Sequence, residues 1–197
     1  MKPIIGIISR DYKSETNKLI NITYTDIISS VLKSGGVPIS IPSNTNIDDY
    51  LNICNGFILQ GGDDIDSHNL NTIKILKEKN IPLLGICLGM QEMFYNNNMI
   101  DIPNHHLNSL HEINIKKNTL LYKVLKKEKI LVNSRHKSSI KNTEYKISSI
   151  SKDNIIESIE DNKHKFFLGL QWHPENLYDI DSNSKKIFDY FVKMCKN

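Results

Sequence analysis

A chain of 197 residues with a net charge of +3 and 39% hydrophobic residues is typical of one globular domain, large enough to fold without disulfides or a structural metal. The lysines are scattered and the net charge is small, which argues against a nucleic-acid-binding protein. The three cysteines, Cys54, Cys87 and Cys195, make no disulfide framework, and no stretch is apolar enough for a signal peptide or a membrane span. We therefore expect a single cytoplasmic domain over residues 1–197 that binds neither nucleic acid nor a membrane.

The first half of the chain alternates short apolar runs with segments of helical periodicity. The predicted strands cover residues 4–9, 37–41, 56–60 and 81–86, and the predicted helices cover residues 24–33, 48–54, 71–79 and 90–95. Strands that alternate with helices predict a mostly parallel central sheet with helices on both faces, which is a three-layer α/β sandwich. In such sheets functional groups gather beyond the carboxyl ends of the strands.

The second half contains more strand-like segments than helices. Residues 96–110 are polar and predict a loop, whereas the strand-like segments cover residues 111–115, 130–132, 145–150, 154–159 and 166–170. Residues 184–194 have the apolar spacing of a structural helix. These short strands predict a small, partly antiparallel extension of the sheet.

A nucleophile elbow is predicted where the fourth strand ends. Residues 85–89 read Gly-Ile-Cys-Leu-Gly and stand between a buried strand and a helix, as in hydrolases that carry a serine at this turn. The two glycines permit a sharp turn, and the N–H groups at the start of the helix favour a thiolate. Cys87 is therefore a candidate nucleophile; the alternative is a buried structural cysteine between two packing glycines.

A candidate base follows the last predicted strand, where residues 171–175 read Gln-Trp-His-Pro-Glu. A thiolate nucleophile needs a base, and the base needs a partner that orients it. Residues i and i+2 of an extended segment share a face, and Pro174 stiffens the link between them. Glu175 can therefore hold one nitrogen of His173 while the other faces the sulfur. The sequence predicts a triad of Cys87, His173 and Glu175.

A glycine-rich turn follows the third predicted strand, where residues 60–64 read Gln-Gly-Gly-Asp-Asp. Attack on an amide carbonyl creates an oxyanion, which needs prepositioned N–H donors. One donor should be the amide of Leu88, just after the nucleophile. The other should come from this turn, where missing side chains let the backbone approach a substrate; the alternative is a plain tight turn.

Five segments carry a common pattern: residues 4–7, 35–38, 59–63, 85–89 and 171–175. Together they resemble the class I glutamine amidotransferases, and within these the γ-glutamyl hydrolase family (peptidase family C26), which includes γ-glutamyl-γ-aminobutyrate hydrolases. The resemblance spans nearly the whole chain. It implies a flavodoxin-like α/β fold and a Cys-His-Glu triad that uses no metal or organic cofactor.

The resemblance also implies which amide of the glycine turn completes the oxyanion hole. Gly62 is the expected donor, and Gly61 is expected to contact the substrate. Relatives usually have a third glycine in this turn and a proline shortly after it, where this chain has Asp63 and Ser67. Gly61 and Asp63 therefore remain alternative donors.

Further substrate contacts are implied around residue 134 and in the elbow helix. Gln91 resembles the family's contact to the substrate amino acid, and Ser134 and His136 match residues that border the pocket for the glutamyl group. Arg135 or Lys137 could pair with a carboxylate of a glutamyl substrate or with a phosphate on the leaving group. The alternative is an exposed polar turn after a strand.

A metal site is suggested by His105, His106 and His111, which lie close together in the sequence. However, no cysteine or carboxylate stands at ligand spacing, and sequence neighbours rarely point the same way. The sequence therefore predicts no metal site.

The predicted reaction is hydrolysis of a small-molecule γ-glutamyl amide to glutamate and an amine, through a thioester on Cys87. Three alternatives stay open: a glutaminase subunit that delivers ammonia to a partner synthase, a non-catalytic module on the same fold, and a hydrolase of γ-glutamyl nucleotide phosphoramidates in capsule synthesis. The sequence does not decide between a monomer and a homodimer.

Overall fold

A nine-stranded mixed sheet forms the centre of the computed structural model, which describes residues 1–96, 98–102 and 106–196. The strands of this sheet and of two small two-stranded sheets are β1 (Ile4–Ile8), β2 (Arg10–Lys13), β3 (Leu19–Ile22), β4 (Val37–Ile41), β5 (Gly56–Leu59), β6 (Leu83–Ile86), β7 (Met99–Asp101), β8 (Leu107–Ile115), β9 (Lys129–Arg135), β10 (Ser138–Ile140), β11 (Lys146–Ser151), β12 (Ile156–Glu160) and β13 (Phe167–Leu170). The helices are α1 (Thr25–Lys33), α2 (Ser67–Glu78), α3 (Leu88–Met93), α4 (Leu120–Leu125) and α5 (Ser182–Met194), with short 3-10 helices over Ile47–Tyr50 and Pro174–Leu177.

The parallel half of the sheet has the order β4-β1-β5-β6-β13. Strands β5, β6 and β13 are buried along their whole length, as their unbroken apolar runs predict. Because the carboxyl ends of neighbouring parallel strands meet at one edge of a sheet, the segments that follow these three strands lie close together. They are the segments that carry the glycine turn, Cys87 and His173.

Four antiparallel strands continue the sheet beyond β13 in the order β12-β11-β8-β9. The antiparallel extension that the sequence predicts is thus confirmed, and it makes up four of the nine strands. Strand β9 ends at Arg135, which brings the predicted substrate-contact segment back towards the carboxyl edge of the parallel half.

Helices cover both faces of the sheet, which confirms the three-layer α/β sandwich. On one face α1, α4 and α5 pack into one core cluster with side chains such as Ile27, Leu121 and Phe188. On the other face α2 and α3 contribute Leu76 and Met90 to a second cluster. No helix within residues 1–96, 98–102 and 106–196 is both long and apolar enough to cross a membrane.

The segment over residues 96–110 differs from the predicted loop. It contains β7, which pairs with the distant strand β10, and the first residues of β8. His105, one of the three histidines considered as metal ligands, lies outside the described residues. The pairing depends on a partner strand far along the chain, so local periodicity could not reveal it.

Helix α4 is also absent from the sequence prediction. The Thr119 side chain accepts the N–H of Tyr122 at 3.1 Å, and the carboxylate of Glu160 accepts the N–H of Leu120 at 2.8 Å. The helix is only six residues long and its first turn is satisfied by a carboxylate on β12. Its formation therefore depends on tertiary contacts rather than on local propensity.

Candidate active site

Cys87 lies at the junction of β6 and α3 in a backbone conformation that is rare outside glycine, with φ of 54° and ψ of −109°. Its N–H donates to the carbonyl of Leu170 on β13 at 2.7 Å. A Cβ on Gly85 would lie 2.7 Å from the backbone of Gly89, and a Cβ on Gly89 would run into the carbonyl of Leu59. Both glycines are therefore needed for the turn that presents the sulfur at the sheet edge.

His173 and Glu175 lie just beyond the end of β13, beside Cys87. The Nδ1 of His173 donates to Oε1 of Glu175 at 2.7 Å, and the backbone N–H of His173 donates to the Asn133 side chain at 3.0 Å. Cys87 lines the same cleft as the His173 ring and contributes to the shift of its pKa. The structure thus brings together all three residues of the predicted triad.

The environment of His173 keeps its imidazole protonated well above neutral pH. Burial lowers the pKa of His173, but hydrogen bonds to Cys87 and Glu175 and the negative charges of both groups outweigh burial and raise the pKa to about 9. By contrast, burial raises the pKa of Cys54 to about 11 and that of Cys195 to about 12. Neither of these two thiols lines the cleft beside His173.

The glycine turn after β5 borders the sulfur. A Cβ on Gly61 would lie 3.2 Å from Cε1 of His173 and 3.6 Å from Cβ of Cys87, whereas a Cβ on Gly62 would lie 2.9 Å from the Leu88 side chain. Leu88 is the first residue of α3, so its N–H has no acceptor within the helix. A reacting carbonyl next to Cys87 would therefore meet the backbone of this turn and the start of α3.

A cleft of about 300 Å³ opens onto the triad. Its lining consists of Tyr24, Thr25, Asp26, Gly61, Gly62, Asp63, Cys87, Arg135, His173, Glu175 and Asn176. Arg135 hydrogen-bonds the Asn176 side chain, which in turn donates to Asp26 at 2.7 Å. The cleft thus offers a guanidinium and carboxylates next to the sulfur. A larger cleft of about 510 Å³ beside Lys77 and Tyr145 contains none of the predicted site residues.

The remaining predicted substrate residues lie behind the cleft rather than on its lining. Gln91, Ser134 and His136 are at most 4% exposed. Gln91 donates to the carbonyl of Ser138 at 2.9 Å and to the side chain of Gln171 at 3.1 Å. Gln171 in turn points its amide at the Cys87 sulfur, at 3.9 Å.

A buried ion pair that the sequence analysis does not identify supports both the glycine turn and the elbow. Arg10 binds Glu92 with two hydrogen bonds of 2.7 and 2.8 Å and donates a third, of 2.7 Å, to the carbonyl of Gln60. Glu92 also accepts from the backbone N–H of Asp66 at 3.1 Å, and its side chain is fully buried. The sequence carries one signal that could have singled out Arg10. Arg10 and Arg135 are the only arginines among the 25 lysines and arginines.

The chain is similar to known proteins over nearly its whole length. The sequence matches the peptidase C26 family over residues 3–77 and 66–175. It is 27% identical to a glutamine amidotransferase-like protein of Rickettsia prowazekii, covering 99% of this chain and 98% of the relative. It is 22% identical to the γ-glutamyl-γ-aminobutyrate hydrolase of Escherichia coli O157:H7, covering 99% of this chain and 94% of the relative.

A solved structure confirms the fold. The crystal structure of a protein from Thermoplasma acidophilum, described as belonging to a GMP synthase, superposes with a TM-score of 0.74 at 16% identity, covering 98% of this chain and 94% of that one. At this identity the likeness extends to the α/β architecture with its large, mostly parallel sheet.

Arg10→Ala should lower the free energy of unfolding by about 3–5 kcal/mol, because it leaves the buried Glu92 carboxylate without its cation. Urea denaturation measures the loss. The matched control is Lys129→Ala, which removes one partner of an exposed pair with Glu112 and should cost less than about 1 kcal/mol. Equal losses for the two variants would contradict the structural role of the Arg10–Glu92 pair.

Proposed function

The chain belongs to the peptidase C26 family, and we propose that it is a cysteine hydrolase that cleaves γ-glutamyl amides to glutamate and an amine. The observation that carries this proposal is the position of His173, which donates to Glu175 at 2.7 Å and lines one cleft with Cys87; both neighbours raise the pKa of His173, to about 9. A thiolate beside an imidazolium, in a cleft bordered by backbone amides, is equipped for acyl transfer.

The first half of the proposed reaction forms a thioester. The thiolate of Cys87 attacks the γ-carbonyl carbon, and the electron pair of the carbonyl moves onto its oxygen. The amides of Leu88 and the glycine turn stabilise this oxyanion, with Gly62 as the proposed donor and Gly61 and Asp63 as alternatives. His173 then gives its proton to the amine nitrogen as the carbon–nitrogen bond breaks.

The second half releases glutamate. After the amine has left, neutral His173 takes a proton from a water molecule, which attacks the thioester carbon. The carbon–sulfur bond breaks, and the thiolate and the imidazolium are restored together. Glu175 holds the ring through Nδ1 during both steps, so that the same nitrogen faces the sulfur, the amine and the water in turn.

The lining of the cleft supports a small-molecule substrate with an amino-acid headgroup. Arg135 offers a guanidinium that can bind a carboxylate with two hydrogen bonds, and Asp26 and Asp63 offer carboxylates for an ammonium group. A volume of about 300 Å³ lies at the lower end of ligand-site volumes. We propose that Gln91, Ser134 and His136, which are buried and do not line the cleft, hold the residues that do line it in position.

A glutaminase that serves a partner synthase is the second candidate function. It would use the same thioester chemistry on free glutamine and pass ammonia to the synthase. The support for it is the fold similarity to a protein described as part of a GMP synthase. The two functions differ in the substrate that the isolated chain should hydrolyse when no synthase is present: other γ-glutamyl amides for the hydrolase, and glutamine for the glutaminase.

A panel of γ-glutamyl substrates tests the proposal, with glutamate release as the readout. It should contain γ-glutamyl-γ-aminobutyrate, other γ-glutamyl amines, poly-γ-glutamate, a γ-glutamyl nucleotide phosphoramidate and glutamine. We expect turnover of at least one γ-glutamyl amide by the isolated chain, and a fall in kcat on the order of 10⁴-fold or more in Cys87→Ala. Cys54→Ala, which alters a buried thiol outside the cleft, should keep wild-type activity. Turnover of glutamine alone would favour the glutaminase, and an active Cys87→Ala enzyme would refute the mechanism.

The pH profile of kcat/KM should fall as the pH rises through about 9. The pKa of His173 is raised, so the imidazolium that protonates the departing amine persists up to that pH and is lost above it. Glu175→Gln removes a charge that raises this pKa, so the basic limb should move to lower pH. Asp179→Asn, at an exposed carboxylate, is the control and should leave the limb in place. A basic limb that Glu175→Gln does not move would contradict the assigned role of Glu175.

A further inference from the structure

A cluster of three histidines and one glutamate lies in the antiparallel half of the sheet. We define the histidine–glutamate cluster by its four residues: His106 just before β8, His111 on β8, His136 just after β9 and Glu157 on β12. The side chains of His106 and His136 are each 1% exposed and that of Glu157 is fully buried, whereas His111 is 17% exposed. None of the four belongs to the Cys87–His173–Glu175 triad.

One carboxylate oxygen is the common neighbour of all three rings. Oε1 of Glu157 lies 3.0 Å from Nε2 of His111, 3.7 Å from Nδ1 of His106 and 3.7 Å from Nε2 of His136. In a tetrahedral zinc site with bonds of about 2.0–2.2 Å, neighbouring ligand atoms are about 3.3 Å apart. The three distances to Oε1 bracket this value, and the ligand atoms of His106, His111 and Glu157 all lie within 4.8 Å of one another.

In the rings of His106 and His136, the nitrogen that faces away from Glu157 is already hydrogen-bonded. Nε2 of His106 is bonded to Oδ2 of Asp153 at 3.0 Å, and Nδ1 of His136 to the carbonyl of Ser138 at 3.2 Å. Histidines that bind metals almost always donate the second N–H to a carboxylate or a backbone carbonyl in this way. Such donation fixes the tautomer and leaves a lone pair on the nitrogen that faces Glu157.

Nε2 of His111 donates to Oε1 of Glu157 at 3.0 Å, but the other two rings bring further acceptors to this oxygen. With the tautomers set by Asp153 and Ser138, lone pairs of two imidazoles face a carboxylate oxygen in a buried space. Nε2 of His136 and Oε2 of Glu157 have no hydrogen-bond partner within 3.5 Å among the described residues, although such groups are nearly always satisfied.

We propose that the histidine–glutamate cluster binds a divalent transition-metal ion, with Zn²⁺ as the best fit. Imidazole and carboxylate ligands in a tetrahedral arrangement suit Zn²⁺, whereas Mg²⁺ and Ca²⁺ prefer shells made of oxygen. A cleft of about 470 Å³ that is lined by His106, His111 and Asp153 gives the ion a route from solvent. The spacing of neighbouring histidines does not predict a metal site, but the fold brings Glu157 from β12 and His136 from the end of β9 to them.

The site is structural rather than catalytic. The ligand atoms of His106, His111 and Glu157 lie within 4.8 Å of one another, and with His136 as the fourth ligand the tetrahedral shell would leave no open position for a reacting water. The ion would cross-link β8, β9 and β12. The carbonyl of Ser138, which holds His136, also accepts from Gln91 on α3, so the cross-link supports the wall behind the candidate active site.

The test is Zn²⁺ binding by the full chain. The protein is stripped with a chelator, its metal content is measured, and Zn²⁺ is returned by calorimetric titration, with Co²⁺ as a spectroscopic probe of tetrahedral geometry. We expect one ion per chain. Glu157→Gln should weaken binding by at least about 100-fold, and Asp153→Asn, at the partly exposed outer carboxylate, by about 10–100-fold.

Two controls make the result specific to the cluster. His164→Asn removes a histidine that pairs with Asp161 elsewhere, and Cys87→Ala removes the triad thiol; both should bind Zn²⁺ as the wild type does. Wild-type protein that binds no Zn²⁺, or equal affinities for wild type and Asp153→Asn, would overturn the proposal. If Glu157→Gln fails to fold, the Zn²⁺ affinity of Asp153→Asn still tests the proposal. Binding does not depend on turnover, so the metal proposal and the proposed function fail separately.

Discussion

The contact between Cys87 and His173 is the interaction on which the candidate site depends. Cys87 is only 8% exposed, and the ring of His173, whose pKa is raised to about 9, lies beside it. The sheet register favours the contact, because Leu170 on β13 pairs with Ile86 on β6. The residues that follow these two strands leave the same edge together, and Glu175 holds the ring between itself and the sulfur.

Buried polar groups hold the cleft on two sides. The Arg10–Glu92 pair ties the glycine turn to α3, while the Gln91 side chain ties α3 to the carbonyl of Ser138 and so to the histidine–glutamate cluster. Apolar packing alone fixes volumes well but orients polar atoms poorly, and catalytic groups need orientation. The parallel half of the sheet thus carries the proposed chemistry, and the antiparallel half supports its wall.

The parts of the fold that could be predicted from the sequence are those in which local pattern and chemistry coincide. The apolar runs of β5, β6 and β13, the glycines around Cys87 and the His-Pro-Glu spacing are all local signals, and the architecture built from them is confirmed. The β7–β10 pairing, α4 and the Arg10–Glu92 pair depend on partners far along the chain, which periodicity cannot reveal. The roles assigned to the site residues stay predictions.

An NMR titration of the His173 ring in the free protein tests the central claim most directly. The account predicts a midpoint near pH 9, raised from the ordinary value of 6.5 by Cys87 and Glu175. In Cys87→Ala the midpoint should drop, because the hydrogen bond and the charge of the thiolate are lost. A midpoint near 6.5 in the wild type that Cys87→Ala leaves unchanged would contradict the thiolate–imidazolium pair, and with it the proposed chemistry.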